Sequence, residues 1–283
     1  MPELPEVETV RAGLEPLVSG RRITAVTVLH PRPVRSFPGT PDSFASALTG
    51  RRFAVPKRRG KYLWFPFDDG DAMLAHLGMS GQFRLNSASD SLVANTRVLI
   101  DLDDGGRASQ LRFVDQRMFG GLGLSIAGAA LPPEVAHVAL DPFDDRFDAL
   151  AVAHRLVLRR SAVKRALLDQ TLISGIGNIY ADETLWRERV HADTPADRLS
   201  VRKAASLIRT ASAVMRDALA EGGTSFDALY VNVNGSSGYF GRSLDAYGRE
   251  GLPCRRCGTP LVRQAFANRS SFSCPRCQRP GAR

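Results

Sequence analysis

The stretch CRRCGTPLVRQAFANRSSFSCPRC, residues 254–277, sets two Cys-x-x-Cys pairs apart by sixteen residues. Two such pairs at this separation suit a four-thiolate tetrahedral zinc site on a pair of tight turns, with Cys254, Cys257, Cys274 and Cys277 as ligands. Disulfides are the competing reading and need an oxidising compartment. Four protein ligands leave no open position for water, so one structural zinc is expected rather than a catalytic one. The intervening residues suit a hairpin, on which Arg263 and Arg269 would either project toward a groove or merely solvate a small surface.

Outward from the cysteines the chain is strongly basic. Between residues 242 and 283 nine arginines oppose only Asp245 and Glu250, so this tail carries seven of the nine net positive charges of the 283-residue chain. Charge gathered in one short segment suits phosphate neutralisation, because each contacted phosphate releases condensed counterions. The total favours a polyanionic partner, either nucleic acid or an acidic membrane surface, over simple solubility. At the other end, Met-Pro-Glu-Leu-Pro-Glu is acidic where a secretory signal needs a basic start and an apolar run. The longest uncharged stretch, residues 118–133, is broken by four glycines and two prolines and is too short for a bilayer span. Reduced thiols, a cytoplasmic location and no membrane partner are therefore expected.

With 43% hydrophobic residues, the chain can bury a substantial core and divide into two or three domains. Val7, Val10, Leu14 and Leu17 recur at helical spacing behind Glu3, Glu6 and Glu8, with Gly20 beyond, and predict a helix over 5–18. Short β-like runs follow at 23–29, 61–67, 72–77, 97–102 and 110–114, the pattern of a sandwich or barrel. The acidic, proline-containing segment 140–144 marks a boundary. Beyond it helices are expected at 147–158, 161–171, 178–189 and 200–221, the last capped by Ser200 and stopped by Gly222-Gly223. Residues 223–241, rich in Gly, Ser and Asn, predict a long loop that is functional or disordered.

Five segments, in their order and spacing, make the chain similar to the formamidopyrimidine-DNA glycosylases. They are Pro2-Glu3-Leu4-Pro5-Glu6-Val7-Glu8-Thr9-Val10, Arg58-Arg59-Gly60-Lys61-Tyr62-Leu63, His76-Leu77-Gly78-Met79-Ser80-Gly81, Gly175-Ile176-Gly177-Asn178-Ile179-Tyr180 and the four-cysteine tail. The resemblance runs the full length. It implies an α+β fold: a helix-flanked catalytic β-sandwich over 1–140, a helix-two-turn-helix domain with a lesion loop over 141–241, and a zinc-finger β-hairpin over 242–283, with DNA in the cleft between. The implied activity is base-excision repair of double-stranded DNA. A glycosylase would remove oxidised purines (8-oxoguanine, formamidopyrimidines), and a lyase would then cleave the abasic site. A monomer is expected.

By the same resemblance, Pro2 is the nucleophile once Met1 is trimmed. Its α-amino group, of a kind that titrates at about 7.7–8.0, can be unprotonated near neutrality, attack the sugar C1′ and drive β- and δ-elimination from an iminium adduct. Alone, a second-position proline would read as a residue that starts a helix. Glu3 would shuttle protons to the sugar ring oxygen, although an acid before a helix also offsets the macrodipole. Lys61, rather than Lys57, matches the family lysine that binds phosphate and assists catalysis, and Arg269 joins it. Met79, Arg117 and Phe119 match the triad that fills the gap left by a flipped nucleotide; judged singly, Met79 and Phe119 would be core. Met118 departs from the pattern, since many members carry a second arginine there. His76, Lys164 and Asn178 complete the expected DNA contacts, with simple helix capping as the other reading of Asn178. Glu6, Ser225 and Tyr239 are expected at the lesion-base pocket.

Three other readings compete. An endonuclease VIII-like enzyme would prefer oxidised pyrimidines, though Leu4 and Val7 favour the purine enzyme. A catalytically silent DNA-binding module would use the zinc finger alone, leaving Pro2, Glu3 and Lys61 without a role. A zinc-ribbon scaffold for RNA or protein would show no preference for damaged DNA.

Overall fold

The computed structural model describes residues 2–103, 109–223 and 243–280. The chain divides into two compact units, Met1–His137 with Gly222–Gly238 and Val138–Glu221 with Tyr239–Arg283.

The first unit opens with α1 (Leu4–Val18), which turns Val7, Val10, Leu14 and Val18 to the interior. It begins one residue earlier than the apolar spacing predicts, because Glu3 is the N-cap and donates its backbone N–H to the Glu6 carboxylate at 2.8 Å. There follow β1 (Ile23–Val28), α2 (Pro41–Leu48), β2 (Lys57–Arg59), β3 (Tyr62–Pro66), β4 (Ala72–His76), β5 (Gln82–Ser87), β6 (Thr96–Leu102), β7 (Ser109–Val114) and β8 (Gly121–Ser125). The strands form two four-stranded antiparallel sheets, ordered β1-β6-β7-β5 and β2-β3-β4-β8. Buried side chains of both sheets and both helices share one core, where Phe65 meets Phe83 with ring centroids 5.3 Å apart.

Four elements of this unit escape the sequence reading, among them β2, a three-residue strand of Lys57, Arg58 and Arg59 with no apolar residue. β5 carries Gln82, Arg84 and Asn86 on alternate positions, so it shows little apolar signal. β8 lies inside the glycine-rich stretch, and as an edge strand pairing only with β4 it sets Gly121 against His76 and Gly123 against Leu74. α2 is started by Thr40, whose hydroxyl accepts the Ser43 N–H at 3.1 Å. Lys61, expected in a strand, is instead in the two-residue loop of the β2–β3 hairpin, where Gly60 takes φ +56° in the first position.

The second unit holds α3 (Ala149–Leu156), α4 (Val163–Leu167), α5 (Asn178–Arg187), α6 (Val201–Ala220) and the hairpin β9 (Val262–Phe266) with β10 (Arg269–Ser273). Ser200 caps α6 by accepting the Lys203 N–H, as expected. α4 is a single short turn rather than a helix over 161–171, because Asp169 accepts the Thr171 N–H and hydroxyl at 2.9 and 2.7 Å and turns the chain away. Among the described residues no helix is long and apolar enough to cross a membrane.

α5 joins the hairpin region to the helices through two consecutive buried carboxylates. Glu183 accepts the backbone N–H groups of Asp245, Ala246 and Tyr247 at 2.9, 2.8 and 2.8 Å. Asp182 accepts the Phe272 N–H at 2.9 Å and the Ser271 hydroxyl at 3.0 Å. Burial pushes both carboxyls upward against these bonds. Glu183→Ala strands three N–H donors and is expected to cost about 3 kcal/mol in urea denaturation, with a smaller loss for Glu183→Gln, which keeps one acceptor oxygen.

Candidate functional site

In the first unit, Pro2 and the carboxylates of Glu3 and Glu6 are enclosed at the start of α1, the latter two only 2% exposed. α1 packs on β2 and β3. Arg58 is the tie: its guanidinium binds Glu8 of α1 at 2.8 Å and the Gly60 carbonyl at 3.2 Å, beside Lys61. Burial would raise the Glu8 carboxyl, but bonds from Arg11 and Arg58 outweigh it and hold the group below its ordinary range. Pro2, Glu3, Glu6 and Lys61 therefore ride on two adjoining segments, with Lys61 itself buried. Gly223 takes φ +85°, and an added Cβ there would lie 3.2 Å from Glu6, so no larger residue fits without displacing that carboxylate. Ser225 and Tyr239 lie outside the described residues.

Met79 and Phe119 are 37% and 49% exposed, which rejects the core reading for both. They sit on two loops, 77–81 and 115–120, that one buried carboxylate joins. Asp115 accepts the Ser80 hydroxyl at 2.6 Å through one oxygen and the Gly120 N–H at 2.8 Å through the other. Ser80 in turn accepts the Arg117 N–H at 2.9 Å. Arg35 donates to the Gly120 and Phe119 carbonyls, and Arg32 to that of Met118, which adopts φ +53°. The loops approach so closely that a Cβ on Gly78 would fall 2.4 Å from the Gly120 nitrogen. Arg117 is exposed, its guanidinium 6.0 Å from the Phe119 ring.

His76 ends β4 opposite Tyr62, the two rings 5.0 Å apart. Its Nδ1 accepts the Gly78 N–H at 3.1 Å, which requires that nitrogen to be unprotonated. Burial, then the charges of Lys61 and Arg35, push its pKa down.

In the second unit, Lys164 does not present itself to a phosphate. It is fully buried, with Nζ 2.6 Å from Asp182 and 3.1 Å from the Ser270 carbonyl. Asn178 donates its Nδ2 to the same carbonyl at 2.9 Å. Nor is Asn178 a cap: Gly177 holds the N-cap position and Asn178 is the first helical residue. Both side chains thus fix the residue next to Arg269, which is exposed at the start of β10. Asp115, Ser80, Arg35 and Asp182 were not among the expected residues. Loop acids and arginines look solvated in a sequence, and of the four only Ser80 lies within a quoted family segment.

The four cysteine sulfurs lie within 4.8 Å of one another, with Cys257 at 3.5 Å from both Cys274 and Cys277. Disulfide sulfurs would be about 2.05 Å apart, whereas tetrahedral Zn–S bonds of about 2.3 Å place sulfurs about 3.8 Å apart. The site fits one structural zinc, and Trp186 of α5 donates its indole N–H to the Cys254 sulfur at 3.4 Å.

Two outcomes are expected of these arrangements. Asp115→Ala should lower stability by about 3 kcal/mol in thermal melts, Asp115→Asn less, since the amide keeps one acceptor. His76, with a folded pKa below its ordinary 6.5, binds a proton in the unfolded chain first. Its contribution to stability is whole above pH 6.5 and is lost as pH falls below it; His76→Gln should flatten that part of the stability–pH curve.

Family models match along the chain: the formamidopyrimidine-DNA glycosylase N-terminal domain over residues 1–122, the H2TH domain of the same enzymes over 138–228, and the zinc finger found in FPG and IleRS over 251–280. The formamidopyrimidine-DNA glycosylase of Nocardioides sp. (strain ATCC BAA-499 / JS614) is 60% identical over 278 residues, covering 98% of this chain and 94% of the relative. A structure of MutM in complex with carbocyclic 8-oxo-G containing DNA aligns with TM-score 0.85 and 30% identity, over 99% of this chain and 100% of that one. Wild-type Lactococcus lactis Fpg in complex with an oxidised-pyrimidine-containing DNA aligns with TM-score 0.87 and 31% identity, over the same shares. With matching models for three regions and a relative this similar from end to end, the chain belongs to the formamidopyrimidine-DNA glycosylase family.

Proposed function

We propose that this DNA glycosylase excises oxidised purines, 8-oxoguanine and formamidopyrimidines, from duplex DNA and then cleaves the strand, acting as a cytoplasmic monomer. The supporting observation is the company of Pro2: two enclosed carboxylates follow it at the start of α1, and Lys61 stands on the hairpin turn that Arg58 ties to the same helix.

With Met1 removed, the Pro2 nitrogen is a secondary amine whose lone pair attacks C1′. The N–C1′ bond forms as the glycosidic bond breaks, and the base leaves with the bonding electrons and takes up a proton. Glu3 protonates the ring oxygen, so the sugar opens to an iminium. The iminium acidifies the C2′ proton; its loss expels the 3′-phosphate, a second elimination expels the 5′-phosphate, and water releases the sugar fragment from Pro2. Lys61 and Arg269 each hold a backbone phosphate. Met79, Arg117 and Phe119 enter the stack, with Arg117 donating to the unpaired cytosine. The zinc keeps the hairpin folded and takes no part in the chemistry.

Borohydride reduces the iminium to a stable amine, so trapping on a duplex with 8-oxoguanine opposite cytosine tests the mechanism. A covalent adduct that needs the lesion and is lost with Pro2→Gly is the expected result. Glu3→Gln should bind the same duplex while turning over about 10²- to 10⁴-fold more slowly, the range for losing a positioned proton donor. No adduct from zinc-loaded protein lacking Met1 would overturn the purine assignment. The oxidised-pyrimidine duplex bound by the Lactococcus lactis relative makes a pyrimidine lesion the second substrate to trap.

A further inference from the structure

A groove of about 590 Å³ lies between α4 and the turn of the β9–β10 hairpin, wholly inside the second unit, lined in part by Arg159, Arg165, Asp169, Phe266, Asn268 and Arg269. Asp169 is the one acid in that lining, and it is committed. Besides its two bonds from Thr171 it stands 3.4 Å from Arg159. Burial would raise its carboxyl, but the Thr171 bonds and the neighbouring arginine charges outweigh this and hold it below its ordinary range. It therefore offsets Arg159 and leaves two guanidiniums. Arg165 on α4 and Arg269 on β10 are both exposed, and neither makes an ion pair or side-chain hydrogen bond among the described residues. Phe266, 9% exposed, gives the groove an apolar flank.

Two uncommitted guanidiniums on separate elements of one groove suit a tetrahedral anion, since each planar fork can grip two oxygens. We propose that this groove seats a phosphodiester of the bound duplex, gripped by Arg165 together with Arg269, so that the DNA footprint extends onto α4. The proposal rests on the DNA-repair reading above. It assigns Arg165, which no sequence motif marks, and makes Arg269 one arm of a pair.

The test is the salt dependence of the dissociation constant for a lesion duplex. Losing one phosphate contact should flatten the log–log slope by about 0.9. Between about 50 and about 200 mM salt, the Kd of Arg165→Ala should therefore rise about 3.5-fold less than that of the wild type. Arg165→Lys, which keeps a point charge, should recover most of the slope. Arg146→Ala removes a positive charge already paired with Asp144 and should keep the wild-type slope. Should Arg165→Ala lower the melting temperature, Arg165→Gln repeats the measurement with nearly the full side-chain length. A slope for Arg165→Ala or Arg165→Gln equal to that of the wild type overturns the groove. Trapping in the same samples separates the two levels: no wild-type adduct on either the oxidised-purine or the oxidised-pyrimidine duplex sinks the repair reading and this proposal with it, whereas a normal adduct with an unchanged slope sinks the groove alone.

Discussion

A two-stranded ribbon of five residues a side cannot bury enough apolar surface to hold its shape in water, so the hairpin that carries Arg269 must borrow its order. It borrows it from one face of α5. Asn178, Asp182 and Trp186 follow one another at four-residue intervals and reach the Ser270 carbonyl, the Ser271–Phe272 edge and the Cys254 sulfur in turn. Glu183 gathers the three amides that lead into the cysteine turns. Trp186, Ala246, Cys254, Leu261 and Cys274 add a small apolar centre. Polar groups do most of this joining, so loss of a partner at any buried one is costly.

Lys164 illustrates the same logic. A lysine without solvent contact persists because the Asp182 carboxylate and the Ser270 carbonyl replace water as acceptors for its N–H donors, and the Phe266 ring lies 5.2 Å from its nitrogen. Removing Asp182 alone would leave an uncompensated buried charge, a far larger cost than exchanging the pair for apolar residues of the same volume. The lysine therefore fixes the backbone of the hairpin residue next to Arg269, and of the two cations only the arginine is exposed.

The zinc ligands were legible from spacing alone, because a metal demands fixed intervals between thiolates that chance seldom supplies. α1 and α6 were legible from their apolar period, and Ser200 from its capping chemistry. β5 and β8 were not, since β5 offers only Phe83 and Leu85 among polar residues, and the glycines of β8 read as loop. α4 ended early for a local reason, the turn made by Asp169, that helical periodicity does not register. At the site, residues that face outward could be named by family pattern. Those that hold them could not: Asp115, Arg35 and Asp182 act across distances of chain that only the fold closes.

The platform under Met79, Arg117 and Phe119 is held by other residues: Asp115, Ser80, Arg32 and Arg35, and the bare backbone of Gly78. The side chains that would enter the duplex contribute little to holding up the loops that bear them. Stability and recognition are thereby assigned to separate residues, and lineages or libraries can vary the inserted side chains with little cost to folding. Discrimination between opposing bases can then drift quickly on a scaffold that does not.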